Sequence, residues 1–129
     1  MDGQRMRSPL GRARGLGSAR EGVEHWWMQR VTAVALLPLT LWFVASLIAL
    51  TGSDYNTFIA WLKAPFVAIL MVLLLIALFY HTALGLRVVV EDYVHSDQAK
   101  IPTVVAIRLV CFALVVVGVF ATLRIAFDG

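Results

Sequence analysis

Three long apolar stretches along this chain read as membrane spans. Val31 to Leu50 runs about 20 residues without an ionisable side chain, enough for a hydrocarbon core of ~30 Å at ~1.5 Å per residue. Pro38 sits inside this run; it would break a soluble helix but is tolerated in a membrane span. A second span starts near Ala64, continues through Phe66–Tyr80 and ends near Val90, with His81 inside it and Arg87 near its end. A third starts after Pro102, read as a helix-start proline, and runs to about Phe127. Its uncharged core, Leu109 to Leu123, covers roughly 22 Å. Arg108 and Arg124 bound it and can snorkel to opposite interfaces. Two polar connections remain, Thr51–Lys63 and Glu91–Ile101, with turn-like stretches at Thr51-Gly52-Ser53-Asp54 and Asp92–Asp97.

Composition agrees. Of 129 residues, 60% are hydrophobic and 15% charged, and the mean hydropathy is +0.83. A soluble domain of this size buries only about two-thirds of its unfolded surface, so the apolar excess must face lipid. The expected fold class is an all-α integral membrane protein with three transmembrane helices, part of a helical bundle that a partner anchor completes. It forms a single membrane domain over residues 1–129, with a basic tail (1–24) and spans at about 30–50, 64–90 and 103–127. There is no internal repeat and no room for a separate soluble domain. The single cysteine, Cys111, excludes an intrachain disulfide and a cysteine-based metal site within one chain; in an apolar run it reads as a packing residue.

Lysine and arginine set the orientation. Arg5, Arg7, Arg12, Arg14, Arg20 and Arg30 precede the first span, whereas the first loop offers only Lys63. The second loop has Lys100, flanked by Arg87 and Arg108, and the C-terminus has Arg124 alone. The positive-inside rule places the N-terminus and second loop on the cytoplasmic or matrix side and the C-terminus outside. Met1–Arg20, rich in Arg, Gly and Ser, has two readings: a mitochondrial transit peptide, or a basic tail that fixes topology and touches anionic lipid. It lacks the apolar face of a targeting helix, which favours the tail and a bacterial inner membrane over a mitochondrial one. A nucleic-acid partner is not expected, because these arginines lack interleaved aromatic residues and lead into a membrane span.

The chemistry lies in polar residues at membrane depth. Asp92 comes 11 residues after His81, which puts the histidine ~16 Å below the cytoplasmic surface, about mid-bilayer. An ionisable group there is a functional hypothesis by default. Ala77, Gly85, Val88 and Asp92 share its helical stripe. The small residues a turn either side of it leave a recess for a planar macrocycle whose iron meets the imidazole, or they let another helix pack closely. The residues alone leave three roles open for His81: metal or haem ligand, hydrogen-bonded packing residue, or proton relay.

The second cluster is Glu91-Asp92-Tyr93-Val94-His95, where the second span leaves the membrane. It reads as a solvated helix end with an aromatic anchor, or as a phenol and a carboxylate placed to hydrogen-bond a quinone head group whose tail stays in lipid. The third is His25-Trp26-Trp27-Met28-Gln29-Arg30. Its tryptophans make an interfacial belt, and Arg30 either pairs with anionic groups such as haem propionates or snorkels to lipid phosphates.

Two motifs carry a resemblance. His25-Trp26-Trp27-Met28-Gln29-Arg30-Val31-Thr32-Ala33 precedes and opens the first span. His81-Thr82-Ala83-Leu84-Gly85-Leu86-Arg87-Val88-Val89-Val90-Glu91-Asp92-Tyr93-Val94-His95 closes the second. Together they resemble the hydrophobic membrane anchor of succinate dehydrogenase (respiratory complex II), of the bacterial type close to the mitochondrial enzyme. The pattern His-x-x-x-Gly-x-x-x-x-x-x-Asp-Tyr in the second of three spans carries most of it.

The resemblance implies a haem b shared with a partner anchor, with His81 as one axial ligand of its iron and the other supplied in trans. Arg30 matches the basic residue near the propionates and quinone pocket, and Gly85 the glycine on the cofactor face. Asp92 and Tyr93 match the pair at the ubiquinone site. The implied partners are the cytochrome b anchor, iron–sulfur and flavoprotein subunits of the same complex, so this chain is not a catalyst alone. Alternatives are the anchor of a quinol:fumarate reductase, a haem-free structural anchor and a small transporter. The last is disfavoured by the absence of broken or paired half-helices.

Overall fold

The computed structural model describes residues 19–128 and places four helices among them. They are α1 (Ala19–Ala49), α2 (Tyr55–Lys63), α3 (Pro65–Tyr93) and α4 (Asp97–Phe127). Three are long and apolar enough to span a membrane: Gly22–Ala49 within α1, α3, and α4. No strand occurs among the described residues. The chain is an all-α integral membrane protein of three spans. Arg5, Arg7, Arg12 and Arg14 lie outside the described residues.

The helices exceed the spans read from hydropathy at several ends. α1 begins at Ala19, so the last residues of the expected basic tail and the His25–Arg30 cluster are helical. No proline interrupts that stretch, and Arg30 stacks over Trp26 one turn earlier, 4.9 Å from its ring centroid. α4 begins at Asp97, which puts Pro102 inside the helix. Pro102 therefore does not start the third span. As the sixth residue of the helix it lies beyond the first turn, so its missing N–H removes one helical bond. The Ser96 carbonyl meanwhile accepts from Lys100 N–H at 2.8 Å, and Asp97 complements the helix dipole in the first turn. The second connection shrinks to Val94–Ser96.

The first connection is also more than a loop. α1 ends in a turn at Thr51–Gly52, and Gly52 adopts φ +84°, the left-handed region that glycine enters without steric cost. Asp54 then caps α2 by accepting from Thr57 N–H at 2.9 Å. α2 carries Lys63 in its last turn and stacks Trp61 on Trp42 of α1, 5.9 Å between centroids and 25° between planes. It also packs against α3 and α4. Pro65 opens α3 directly afterwards, the helix position where a proline loses nothing.

α3 is the central helix. α1 packs on one side of it and α4 on the other, with no close backbone approach between α1 and α4. The buried apolar residues are accordingly Val67, Ala68, Leu74, Leu84 and Val90 of α3, with Cys111 of α4. Leu37, Leu41 and Ile48 of α1 and Leu109, Phe112 and Phe120 of α4 are exposed. Such a surface is stable only against lipid or other helices. Hydroxyls inside the spans bond back to their own helix, as where Thr82 donates to Leu78 O at 2.7 Å and Thr122 to Gly118 O at 2.8 Å.

Candidate functional site

His81 sits in the middle of α3, about 18 Å of helix rise from its Tyr93 end. The side chain facing it belongs to α1. Thr32, 7% exposed, brings its Oγ1 to 3.0 Å from His81 Nδ1. The same hydroxyl lies 2.8 Å from Met28 O and 3.1 Å from Gln29 O. His81 Nε2 makes no hydrogen bond among the described residues. One ring nitrogen is therefore engaged and the other is not.

One turn along α3, Gly85 faces α1 as well: a Cβ built there would meet Gln29 Nε2 at 3.9 Å and nothing nearer. No backbone atom of α1 comes within 4 Å of that position among the described residues. The contact is ordinary in distance and is made by the end of a long side chain. α1 thus covers the Thr32–Gln29 side of the stripe, while Val88 further along is exposed.

The remaining predicted site residues lie toward the helix ends. Asp92 and Tyr93 terminate α3 and are exposed, Tyr93 at 78%. Arg30 is exposed on α1 and engages Trp26 of its own helix. No hydrogen bond or ion pair joins Arg30, Asp92 and Tyr93 among the described residues. Glu91 is held by Arg87 one turn back, Nε to Oε1 2.9 Å, and so belongs to the solvated helix end. His25 Nε2 is buried and has no hydrogen-bond partner among the described residues. Among the described residues no group of three or more His, Cys, Asp or Glu side chains converges. A metal bound at His81 would take its other ligands from outside the described residues.

A groove of about 540 Å³ opens between α3 and α4. Tyr80, Arg87, Arg108 and Cys111 are among its lining residues, and none of the predicted site residues reaches it.

Thr32 and Gln29 are the residues that sequence reasoning missed. Both stand in the first motif, but no role attached to them. The sequence carries no signal for this pairing, because Thr32 is the second residue of a span read from Val31 whereas His81 counts to mid-bilayer.

Fold and site together define a class: a small all-α membrane protein of three spans that holds an imidazole within the second span and a carboxylate–phenol pair at the end of the same helix. Residues 4–117 match the family of succinate dehydrogenase/fumarate reductase transmembrane subunits, and the chain belongs to that family. The succinate dehydrogenase hydrophobic membrane anchor subunit of Rickettsia bellii is 33% identical over 115 residues, covering 89% of this chain and 92% of the relative. That of Rickettsia conorii is 32% identical over 85% of this chain and 88% of its own length. The protein of the same name from Paracoccus denitrificans is 31% identical over 91% and 90%.

Proposed function

We propose that the chain is a membrane anchor of a succinate dehydrogenase. In this reading His81 would hold the iron of a haem b shared with the cytochrome b anchor of the same complex, and the chain supplies part of a ubiquinone site. Electrons reach that site from the flavoprotein through the iron–sulfur protein of the complex. The membrane is the bacterial inner membrane, with the N-terminus and the α3–α4 connection on the cytoplasmic side. Family membership and the names of the relatives support the anchor role.

The observation that carries the haem assignment is His81 itself. It is half-buried at mid-span, its Nδ1 is anchored, and its Nε2 has no partner within the described chain. A neutral imidazole with one nitrogen hydrogen-bonded and the other open is the donor that haem iron takes. Haem b, when bound, supplies a one-electron redox centre. Gly85 adds no side chain of its own to the face next to the ligand, so that only Gln29 approaches it. Arg30, at the interfacial start of the first span, offers a guanidinium to the propionates.

At the end of α3 the exposed Tyr93 phenol donates to a quinone carbonyl. Asp92 beside it orients the head group or adds charge there. Both side chains are open for a partner protein to cover.

The test is His81→Ala in the whole complex. The reduced-minus-oxidised spectrum should lose the low-spin signature, through conversion to high spin or loss of haem. A spectrum unchanged in position and amplitude overturns the haem assignment. A haem-free wild-type complex with full quinone reductase activity would favour the structural-anchor reading.

A further inference from the structure

We propose that Thr32 is the positioning residue for the His81 ligand: its hydroxyl oxygen accepts a hydrogen bond from Nδ1–H and so leaves the Nε2 lone pair free for iron. The proposal rests on the haem reading above and names the residue that makes it work. Among the described residues, Thr32–His81 is the one side-chain hydrogen bond that joins two spans. Thr82, Thr103 and Thr122 bond only to carbonyls of their own helices.

The argument is a proton count. A hydroxyl has one hydrogen to donate and two lone pairs to accept with. Thr32 Oγ1 has two carbonyl oxygens in reach, Met28 O at 2.8 Å and Gln29 O at 3.1 Å. Both can only accept, and we place the hydroxyl hydrogen on the nearer, Met28 O. In that arrangement the oxygen meets His81 Nδ1 at 3.0 Å as an acceptor, and Nδ1 carries the hydrogen. A neutral imidazole has one N–H, so Nε2 is left as the base. The opposite arrangement, Thr32 donating to Nδ1, would leave the hydrogen on Nε2 and no lone pair there for a metal.

The bond also fixes the ring. Thr32 is buried on α1 and its hydroxyl is tied to its own backbone, so the acceptor is held at one place and the imidazole plane with it. An acceptor on the far nitrogen of a metal-bound histidine sets its orientation and raises its basicity. Loss of such a partner typically costs about 10- to 100-fold in metal affinity.

The experiment uses the assembled complex with Thr32→Val, which keeps the shape and removes the oxygen, and Thr32→Ser, which keeps the oxygen. His81→Ala serves as the control. Haem midpoint potential, the ferric low-spin electron paramagnetic resonance signal and haem retention during titration with a competing apo-haem protein are read on each. In Thr32→Val the potential should rise, because a less electron-rich imidazole supports the ferric state less. Its haem retention should fall by about 10- to 100-fold. Thr32→Ser should restore both.

Haem-free assembly of the valine variant with rescue by serine also supports the proposal. A valine variant identical to wild type in potential, resonance signal and retention overturns it. So does a serine variant that behaves like valine. If His81→Ala itself leaves the spectrum unchanged, the haem reading falls and this inference with it. If His81→Ala abolishes the low-spin signal while Thr32→Val changes nothing, only the role of Thr32 falls.

Discussion

Gly118 of α4 lies directly against Leu75 of α3: a Cβ built on the glycine would stand 3.1 Å from Leu75 Cδ1 and 3.3 Å from Cδ2. Small residues let membrane helices approach closely where no hydrophobic driving force pulls them together. Gly118→Ala asks the flexible end of Leu75 to give by a few tenths of an ångström and should be tolerated. Gly118→Val has nowhere to put its branch and should destabilise the α3–α4 pair by about 1–3 kcal/mol, the usual range for overpacking. Thermal unfolding of the detergent-solubilised complex, followed through the reactivity of Cys111, would read this. A valine variant as stable as the parent would show that the contact does not limit packing.

Tyr93 links this chain to turnover in the proposed function. A phenol donor strengthens its bond as the carbonyl gains electron density. Tyr93→Phe keeps the ring and removes the donor, so succinate:quinone activity should drop by about one to three orders of magnitude. Succinate oxidation by a dye that accepts electrons upstream should stay near normal on the same preparation. Unchanged quinone reduction rate and affinity would make Tyr93 an interfacial anchor only.

Topology follows from the arginine asymmetry. A reporter fused after Gly129 should read as periplasmic, and one inserted at Ser96, in the short α3–α4 connection, as cytoplasmic. The capping turn at Asp54 then lies on the periplasmic side. A cytoplasmic signal at the C-terminus would mean that α4 does not cross.

Asp54 adds a pH dependence. Thr57, through its side chain and its backbone N–H, holds the Asp54 carboxyl below its ordinary value of 3.8. A depressed carboxylate contributes stability above its unfolded pKa and loses it as pH falls through the lower folded value. Hydrogen exchange across Tyr55–Lys63 should therefore be unaffected by pH, after correction for intrinsic rates, from neutrality down to about pH 4, then lose protection below it. Asp54→Asn should remove that step while keeping partial capping. A variant that retains the same acid transition would assign it to another group.

The class of the protein was legible from one dimension of the chain. Crossing lipid requires about 20 predominantly apolar residues and leaves every backbone group bonded within its own helix, so the apolar stretches built around Val31–Leu50, Phe66–Tyr80 and Leu109–Leu123 identified three spans without any tertiary information. His81, Asp92, Tyr93 and Arg30 stood out for a related reason: an ionisable or phenolic group at or near membrane depth is rare, and its spacing along a helix can be counted. The helix ends were less legible, because hydropathy reports the hydrocarbon core while helices run beyond it. α4 starts at Asp97 ahead of Pro102, and the Thr51–Lys63 segment hides α2, whose helix depends on the Asp54 cap and on Trp61 meeting Trp42.

Only the tertiary structure decided which faces meet. In a span apolar on every side, periodicity does not mark the buried stripe, because lipid and a neighbouring helix accept the same residues. Nothing in the order of residues pairs Thr32 with His81 or Leu75 with Gly118. Those pairings follow from α3 lying between α1 and α4. They bring a hydroxyl to an imidazole and a leucine to a glycine, contacts whose partners lie far apart along the chain.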